Sequence, residues 1–209
     1  GMTPDTSVHK LTEISYAYGY IEALKQLKFF KEINFNVKSE FVKNGYTIAA
    51  VGQKPSLSQD EMNNILTSYV TDASARTYQS FLDENKKRPE ITSTPSGLQY
   101  EIIENGEGPN PILGQSVSFH WVGKHITDEE FLNSKINNNN EAITINLPYA
   151  GVTAINEGLL LMNKGAKYKF YAPSILAYGN KGFMDPNDKY YIIKPNEPLI
   201  YEIELVSIQ

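Results

Sequence analysis

Cysteine is absent from the 209-residue sequence, which excludes thiol nucleophiles, disulfide frameworks and cysteine-based metal sites. Histidine is also scarce: the three histidines are His9, His120 and His125, and their spacing matches no zinc motif. The phosphate-binding glycine motifs and the Gly-x-Ser-x-Gly motif of serine hydrolases are missing as well. We therefore expect no metal and no cofactor, and few candidates for acid–base or nucleophilic catalysis.

Positive charge and long apolar runs are lacking too. The chain carries 19 Lys and Arg against 24 Asp and Glu, a net charge of −5, without a basic stripe, so nucleic acid is not an expected partner. No apolar run approaches the ~20 residues of a membrane span. The lack of cysteine fits an oxidising compartment such as the cell envelope, where a stray thiol is a liability, and it also fits chance.

The first part of the chain, between residues 8 and 88, has helical periodicity. One amphipathic helix of ~20 residues or more is indicated by apolar residues at every third or fourth position: Leu11, Ile14, Tyr18, Ile21 and Leu24. A shorter pattern runs from Val37 to Val51. A third helix begins at the capping box of Ser58 and Glu61 and ends before Pro89, which makes it ~45 Å long.

Such a long amphipathic helix is more than one small domain can cover, so its apolar stripe needs a partner. We predict self-association through this helical part. The alternative is that the helices pack on the second half of the chain.

From residue 97 onward the apolar residues alternate with a period of two, as in half-buried antiparallel strands. The alternating residues include Val117, Phe119 and Trp121, and later Leu199, Tyr201, Ile203 and Leu205. One short helix fits between them, from Ala154 to about Lys164, with Gly165 as its stop. These patterns predict an α+β fold, with a helical domain over residues 1–90 and a sheet domain over residues 91–209.

Aromatic side chains are abundant, with 14 Tyr and 9 Phe. Several fall at junctions of strands and loops in the second half, including Trp121, Phe131, Tyr149, Tyr178 and Tyr201. An aromatic-rich cup without an acid, a base or a metal suits the binding of an apolar group. The alternative interpretation is a well-filled core.

Four ordered motifs of the second half resemble bacterial FKBP-type peptidyl-prolyl isomerases. They are T-P-S-G-L-Q-Y from Thr94, N-E-G-L-L-L-M from Asn156, F-Y-A-P-S-I-L-A-Y-G from Phe170, and I-I-K-P-N from Ile192, which is followed by the last strand. The first half is similar to the amino-terminal domain of the Mip-like and FkpA-like branch, through S-Y-A-Y-G from Ser15 and G-Q-K-P from Gly52. The resemblance implies a helical dimerisation arm and one FKBP-like antiparallel sheet, wrapped on a short helix, per subunit.

The resemblance also implies a set of site residues. The catalytic residues it implies are Trp121, Phe131, Tyr178 and Ile193. The substrate-binding residues it implies are Ile145, Val152, Ile155, Ile192 and Tyr201. In this interpretation, the Tyr178 hydroxyl and the Ile193 backbone N–H donate hydrogen bonds to substrate carbonyls.

Two positions depart from the family pattern. The tryptophan of the family's pocket floor is Ile155 here, and the aspartate that follows the wall phenylalanine is Leu132. Replacing an indole by isoleucine removes contact area worth about 1–3 kcal/mol of ring binding. We therefore expect binding of prolyl peptides with weakened catalysis.

Three functions remain open at this stage. The first is a dimeric prolyl isomerase that acts on proline-containing unfolded or flexible polypeptides. The second is a non-enzymatic holdase chaperone with a degenerate pocket, and the third is a structural dimer. The resemblance also raises a macrolide as a ligand of the altered pocket, and a location in the periplasm or at the outer membrane of a bacterium.

Overall fold

The computed structural model of the protein describes residues 8–32, 37–149, 151–186 and 191–209. The chain divides into two compact units, residues 1–74 and residues 75–209. The predicted domain boundary after residue 90 stays a prediction.

Helices make up the described secondary structure of the first unit. They are α1 (Val8–Glu32), α2 (Ser39–Ala50) and α3 (Gln59–Asn85), the last of which continues into the second unit. The predicted capping box begins α3: the Ser58 backbone N–H donates to the Glu61 carboxylate at 2.8 Å, and the Glu61 N–H donates to the Ser58 hydroxyl at 3.2 Å. The Ser58 backbone N–H and, after it, the Ser58 hydroxyl donate to this carboxylate and lower the pKa of Glu61.

The apolar face predicted for α1 is exposed in the single chain. Its exposed fractions are 48% for Leu11, 51% for Ile14, 69% for Tyr18 and 52% for Ile21. Helix α2 has no buried residue, and its Phe41 is 66% exposed. Within the described residues, no helix is long and apolar enough to cross a bilayer.

An antiparallel sheet forms the second unit. Its strands are β1 (Thr92–Ser93), β2 (Gln99–Glu104), β3 (Ser116–Lys124), β4 (Glu130–Asn133), β5 (Ile143–Asn146), β6 (Lys167–Ala172) and β9 (Leu199–Ile208). They are ordered β1-β2-β6-β9-β3-β4, with β5 also paired to β3. A separate hairpin contains β7 (Phe183–Met184) and β8 (Tyr191–Ile193). Two short helices, α4 (Ser134–Asn137) and α5 (Thr153–Leu161), and a 3₁₀ turn (Ser174–Leu176) complete the described elements.

Helix α5 packs on one face of this sheet. Its residues Ile155 and Leu159 are at most 1% exposed and belong to the same core cluster as Phe170 of β6. Gly158 permits the close approach, because a Cβ at this position would lie 2.9 Å from the Phe170 ring. The helix ends at Leu161, three residues before the predicted end, because Met162 is already extended at ψ 155°. The predicted fold class, helices followed by an antiparallel sheet around a short helix, is confirmed.

The last turn of α3 belongs to the second unit, and polar contacts anchor it to the sheet. The Asn85 side-chain amide donates to Gln99 at 2.8 Å. Arg88 donates to the Tyr171 hydroxyl at 3.0 Å, and this hydroxyl donates to Glu101 at 2.7 Å. Burial, followed by the hydrogen bond to Glu101, raises the pKa of Tyr171 to about 12.

Candidate active site

The inner faces of β3 and β9 hold two of the predicted aromatic residues side by side. In the ladder Trp121 is opposite Ile203 and Gly123 is opposite Tyr201, so Trp121 and Tyr201 share one face. Their ring centroids are 6.0 Å apart and the ring planes differ by 14°. Trp121 also meets the edge of Phe119, with 5.9 Å between centroids.

Phe131 of β4 reaches the same face because the strand beside it has a glycine. A Cβ on Gly123 would lie 2.7 Å from the Phe131 ring, so the absence of that atom makes room for the aromatic ring. Phe131 meets Tyr201 nearly at right angles, with 6.4 Å between centroids. On another side Phe131 contacts the imidazole of His125, with 5.1 Å between the ring centroids.

Helix α5 and β5 supply aliphatic residues to the site. Ile155, in the first turn of α5, is 1% exposed. Val152 precedes this turn, and its carbonyl accepts the Ile155 backbone N–H at 3.0 Å. Ile145 of β5 is paired with Val117 of β3 and is partly buried against the core.

The chain after β6 contributes the remaining predicted residues. Tyr178 follows a 3₁₀ turn over Ser174–Leu176 and contacts Phe183, with 5.7 Å between ring centroids. In β8, Ile193 is 1% exposed and Ile192 is partly buried.

All the predicted site residues belong to the hydrophobic core of the second unit: three are buried in it and six pack against it, partly buried. We call this set the nine-residue cluster; its members are Trp121, Phe131, Ile145, Val152, Ile155, Tyr178, Ile192, Ile193 and Tyr201. The roles assigned to them in binding and catalysis stay predictions.

The two tyrosine hydroxyls of the nine-residue cluster keep their protons. Burial, with a smaller effect of Tyr149, raises the pKa of Tyr178. Burial, with a smaller effect of Tyr178, also raises the pKa of Tyr201. Both side chains are therefore neutral near pH 7 and can donate a hydrogen bond.

Some buried polar atoms of this region lack a hydrogen-bond partner. Among the described residues these are the Tyr201 hydroxyl, the Trp121 Nε1 and the His120 Nδ1. His120 alternates with Phe119 and Trp121 and so lies on the opposite face of β3. A cavity of about 150 Å³ beside it is lined by the charged residues Lys135, Lys167, Glu202 and Glu204, and also by Trp121 and Ile203. His120 is thus outside the face that carries the nine-residue cluster.

Sequence reasoning missed one hydrogen-bonded pair beside the site. His125 Nδ1 lies 2.7 Å from a carboxylate oxygen of Glu197, whose side chain is 3% exposed. The other oxygen of this carboxylate accepts the Lys194 backbone N–H at 2.8 Å. The partners are 72 positions apart in the chain, so no local spacing or periodicity could have revealed the pair.

Family comparisons agree with this geometry. Residues 108–206 match the model of the FKBP-type peptidyl-prolyl cis-trans isomerase, and residues 11–102 match the domain amino terminal to it. A 22 kDa FKBP-type peptidyl-prolyl cis-trans isomerase of Escherichia coli K12 is 30% identical over 174 residues, which cover 78% of this chain and 80% of the relative. The chain belongs to the FKBP-type peptidyl-prolyl cis-trans isomerases, and the predicted enzyme class is confirmed.

Two further similarities extend over most of the chain. An outer membrane protein MIP of Legionella longbeachae is 27% identical over 196 residues, covering 87% of this chain and 80% of the relative. The crystal structure of FkpA from Escherichia coli has a TM-score of 0.55 at 21% identity, with 100% of this chain and 99% of that chain covered. This structural similarity supports the predicted fold, a helical region followed by an antiparallel sheet.

Proposed function

We propose that the nine-residue cluster binds the proline ring of a polypeptide and accelerates rotation about the X-Pro bond. Amide resonance sets the barrier of this rotation, ~18–20 kcal/mol, and the twisted transition state loses that resonance. A water-excluding apolar site favours the less polar twisted form without any proton transfer. The observation that carries the proposal is that the nine predicted residues, from seven separate segments, all belong to or pack against the one hydrophobic core of the second unit.

In this proposal the aromatic rings surround the proline and two donors hold the flanking carbonyls. Trp121, Phe131 and Tyr201 supply the ring contacts. The protonated Tyr178 hydroxyl and the Ile193 backbone N–H supply the hydrogen bonds. A proline-limited refolding assay tests the function, since uncatalysed isomerisation takes tens to hundreds of seconds. A refolding rate independent of added protein would contradict it.

We expect two side chains of this site to weaken its catalytic activity. Ile155 offers the proline ring a smaller surface than an indole would. Leu132, which is paired with Gly123 across β3 and β4, offers no carboxylate to a ligand. Macrolide binding, which remains a proposal, is tested by calorimetric titration of the full chain.

We propose that the first unit is a dimerisation arm. The exposed apolar residues of α1, such as Leu11 and Ile14, and the absence of buried residues in α2 support this proposal. Light scattering of the intact chain should give close to twice 23.5 kDa. A fragment that starts near Thr94 should be monomeric.

The clients that we propose are unfolded or flexible polypeptides in the bacterial cell envelope, either in the periplasm or at the outer membrane. The name of the Legionella relative supports this location. Fractionation of the natural host with an antibody to the protein tests it; recovery in the cytoplasmic fraction would contradict it.

A holdase is the second candidate function. The exposed aromatic and aliphatic residues of α1 and α2 favour it, because an unfolded chain can bind there without isomerisation. Suppression of aggregation by a protein that leaves proline-limited refolding unchanged would establish the holdase.

A further inference from the structure

Two hydrogen-bond donors of the nine-residue cluster are buried without partners. Tyr201 is 1% exposed, and its hydroxyl bonds to no atom of the described residues. The Nε1 of Trp121 is also buried without a hydrogen-bond partner in the described part of the chain. The Trp121 ring is stacked on the Tyr201 ring, with 6.0 Å between the ring centroids. Buried polar groups without partners are rare because each costs free energy, so this pair calls for an explanation.

The chemistry of the cluster specifies what a matching ligand group must do. An indole N–H can only donate, and a tyrosine hydroxyl kept neutral by burial can donate as well. No member of the nine-residue cluster has a carboxylate or an amide side chain that could accept a hydrogen bond. The site therefore suits a ligand group that accepts hydrogen bonds.

The X-Pro amide is a peptide bond of this kind. Its carbonyl oxygen accepts hydrogen bonds, but its nitrogen carries no hydrogen. We propose that the Tyr201 hydroxyl donates a hydrogen bond to the carbonyl oxygen of the X-Pro amide. This inference rests on the proposed function of the same site.

The proposal includes a movement of side chains. Both donor atoms are closed off from solvent, so a substrate reaches them only when a neighbouring ring moves aside. The Phe131 ring lies next to Tyr201, with 6.4 Å between the ring centroids, and it is only partly buried. We therefore assign this movement to Phe131.

The expected effect is on binding more than on turnover. The carbonyl oxygen carries most negative charge when the amide is planar, and twisting the amide removes part of that charge. A donor to this oxygen therefore stabilises the ground state at least as much as the transition state. Tyr201 is thus a substrate-binding residue whose loss weakens affinity and does not lower kcat.

Trp121 is the only tryptophan of the chain and reports on binding. The experiment titrates the full chain with a tetrapeptide that has a central Leu-Pro bond, follows Trp121 emission, and measures kcat by exchange NMR. Tyr201→Phe removes only the hydroxyl. We expect its Kd to be about 5- to 10-fold weaker, the equivalent of one neutral hydrogen bond, with kcat not reduced. Its melting temperature should be equal or higher, because a buried group without a partner is removed.

Tyr171→Phe is the matched control. It removes a hydroxyl that has two partners, Arg88 and Glu101, outside the nine-residue cluster. We expect this variant to melt a few degrees lower and to bind the peptide as the parent does.

A second measurement changes the peptide instead of the protein, so its result does not depend on whether a variant folds. In a thioxo peptide, sulfur replaces the oxygen of the Leu-Pro carbonyl and accepts hydrogen bonds poorly. The parent protein should bind it more weakly than the normal peptide, and Tyr201→Phe should lose this discrimination. Equal affinity of the parent for both peptides, an unchanged Kd in Tyr201→Phe, or a lower kcat at unchanged Kd would overturn the inference and leave the isomerase function standing. A parent protein that neither binds nor isomerises the peptide would overturn both.

Discussion

The imidazole of His125 and the carboxylate of Glu197 are joined at 2.7 Å behind the Phe131 ring. Glu197 is buried, and its second carboxylate oxygen accepts the Lys194 backbone N–H. The pair therefore connects the end of β3 to the segment that follows Ile193. Through this connection one carboxylate positions two parts of the nine-residue cluster.

We expect Glu197→Ala to destabilise the protein by about 2–4 kcal/mol, because it removes the hydrogen bonds of a buried carboxylate to the partly buried Lys194 N–H and to the His125 imidazole. Glu197→Gln should cost less, since the amide can still accept from Lys194 and reach His125. Urea unfolding of the full chain measures both. Glu104→Ala, at an exposed position, is the control and should stay within about 0.5 kcal/mol of the parent. Equal stability of Glu197→Ala and the control would contradict the prediction.

Tyr171 should make stability fall at high pH. Burial raises its pKa from 10.0 to about 12 in the folded state, so the folded protein holds this proton more tightly than the unfolded chain. The corresponding stabilisation, about 2 kcal/mol, is fully present below pH 10 and is lost as the pH rises toward 12. Urea unfolding at pH 9 and pH 11.5 should show a smaller loss in Tyr171→Phe than in the parent. An equal loss of unfolding free energy in the two proteins would show that Tyr171 does not cause the fall in stability at high pH.

Gly123→Ala should displace the Phe131 ring. The added Cβ would lie 2.7 Å from this ring, and overpacking of this kind costs about 1–3 kcal/mol. Because Phe131 is a wall of the proposed site, we expect kcat/KM on a prolyl peptide to fall about tenfold. Gly45→Ala in α2 is the matched control: no atom lies within 4 Å of its Cβ, and better helix propensity should raise stability by up to about 1 kcal/mol. Full activity in Gly123→Ala would show that catalysis does not depend on the position of the Phe131 ring.

Tyr178→Phe tests the donor on the other side of the site. Loss of one hydrogen bond to a substrate carbonyl should lower activity or peptide affinity about 5- to 10-fold without unfolding the domain. His120→Gln, on the opposite face of β3, should leave kcat/KM and its flat profile between pH 6 and 8 unchanged. A bell-shaped profile in the parent that disappears in His120→Gln would instead indicate acid–base chemistry.

Much of this arrangement could be predicted from the sequence, for reasons specific to each element. The strict alternation of Phe119 and Trp121 predicted β3 because a half-buried strand imposes a period of two. The capping box of Ser58 predicted the start of α3 because its hydrogen bonds are local. The His125–Glu197 pair, the space that Gly123 leaves for Phe131 and the unpartnered hydroxyl of Tyr201 could not be predicted. They depend on contacts between segments far apart in the chain, which no local pattern encodes.

Ile155 is the residue that we expect to limit activity. A proline ring packs flat on an aromatic face and gains contact area that a branched aliphatic side chain cannot offer. Ile155→Trp should therefore raise kcat/KM on an Ala-Pro peptide about tenfold, which corresponds to ~1.4 kcal/mol of transition-state binding.

The gain has a structural condition, because Ile155 is only 1% exposed and an indole must displace its neighbours. Overpacking of about 1–3 kcal/mol would lower the melting temperature by several degrees, so stability and activity must be measured on the same preparation. Ile155→Val is the control: it makes the floor smaller still and should reduce activity with a stability loss of about 0.5–1.5 kcal/mol. A stable Ile155→Trp protein without detectable isomerase activity would reject the role of Ile155. That result would also favour the holdase, because restoring an aromatic floor would then have failed to restore the reaction.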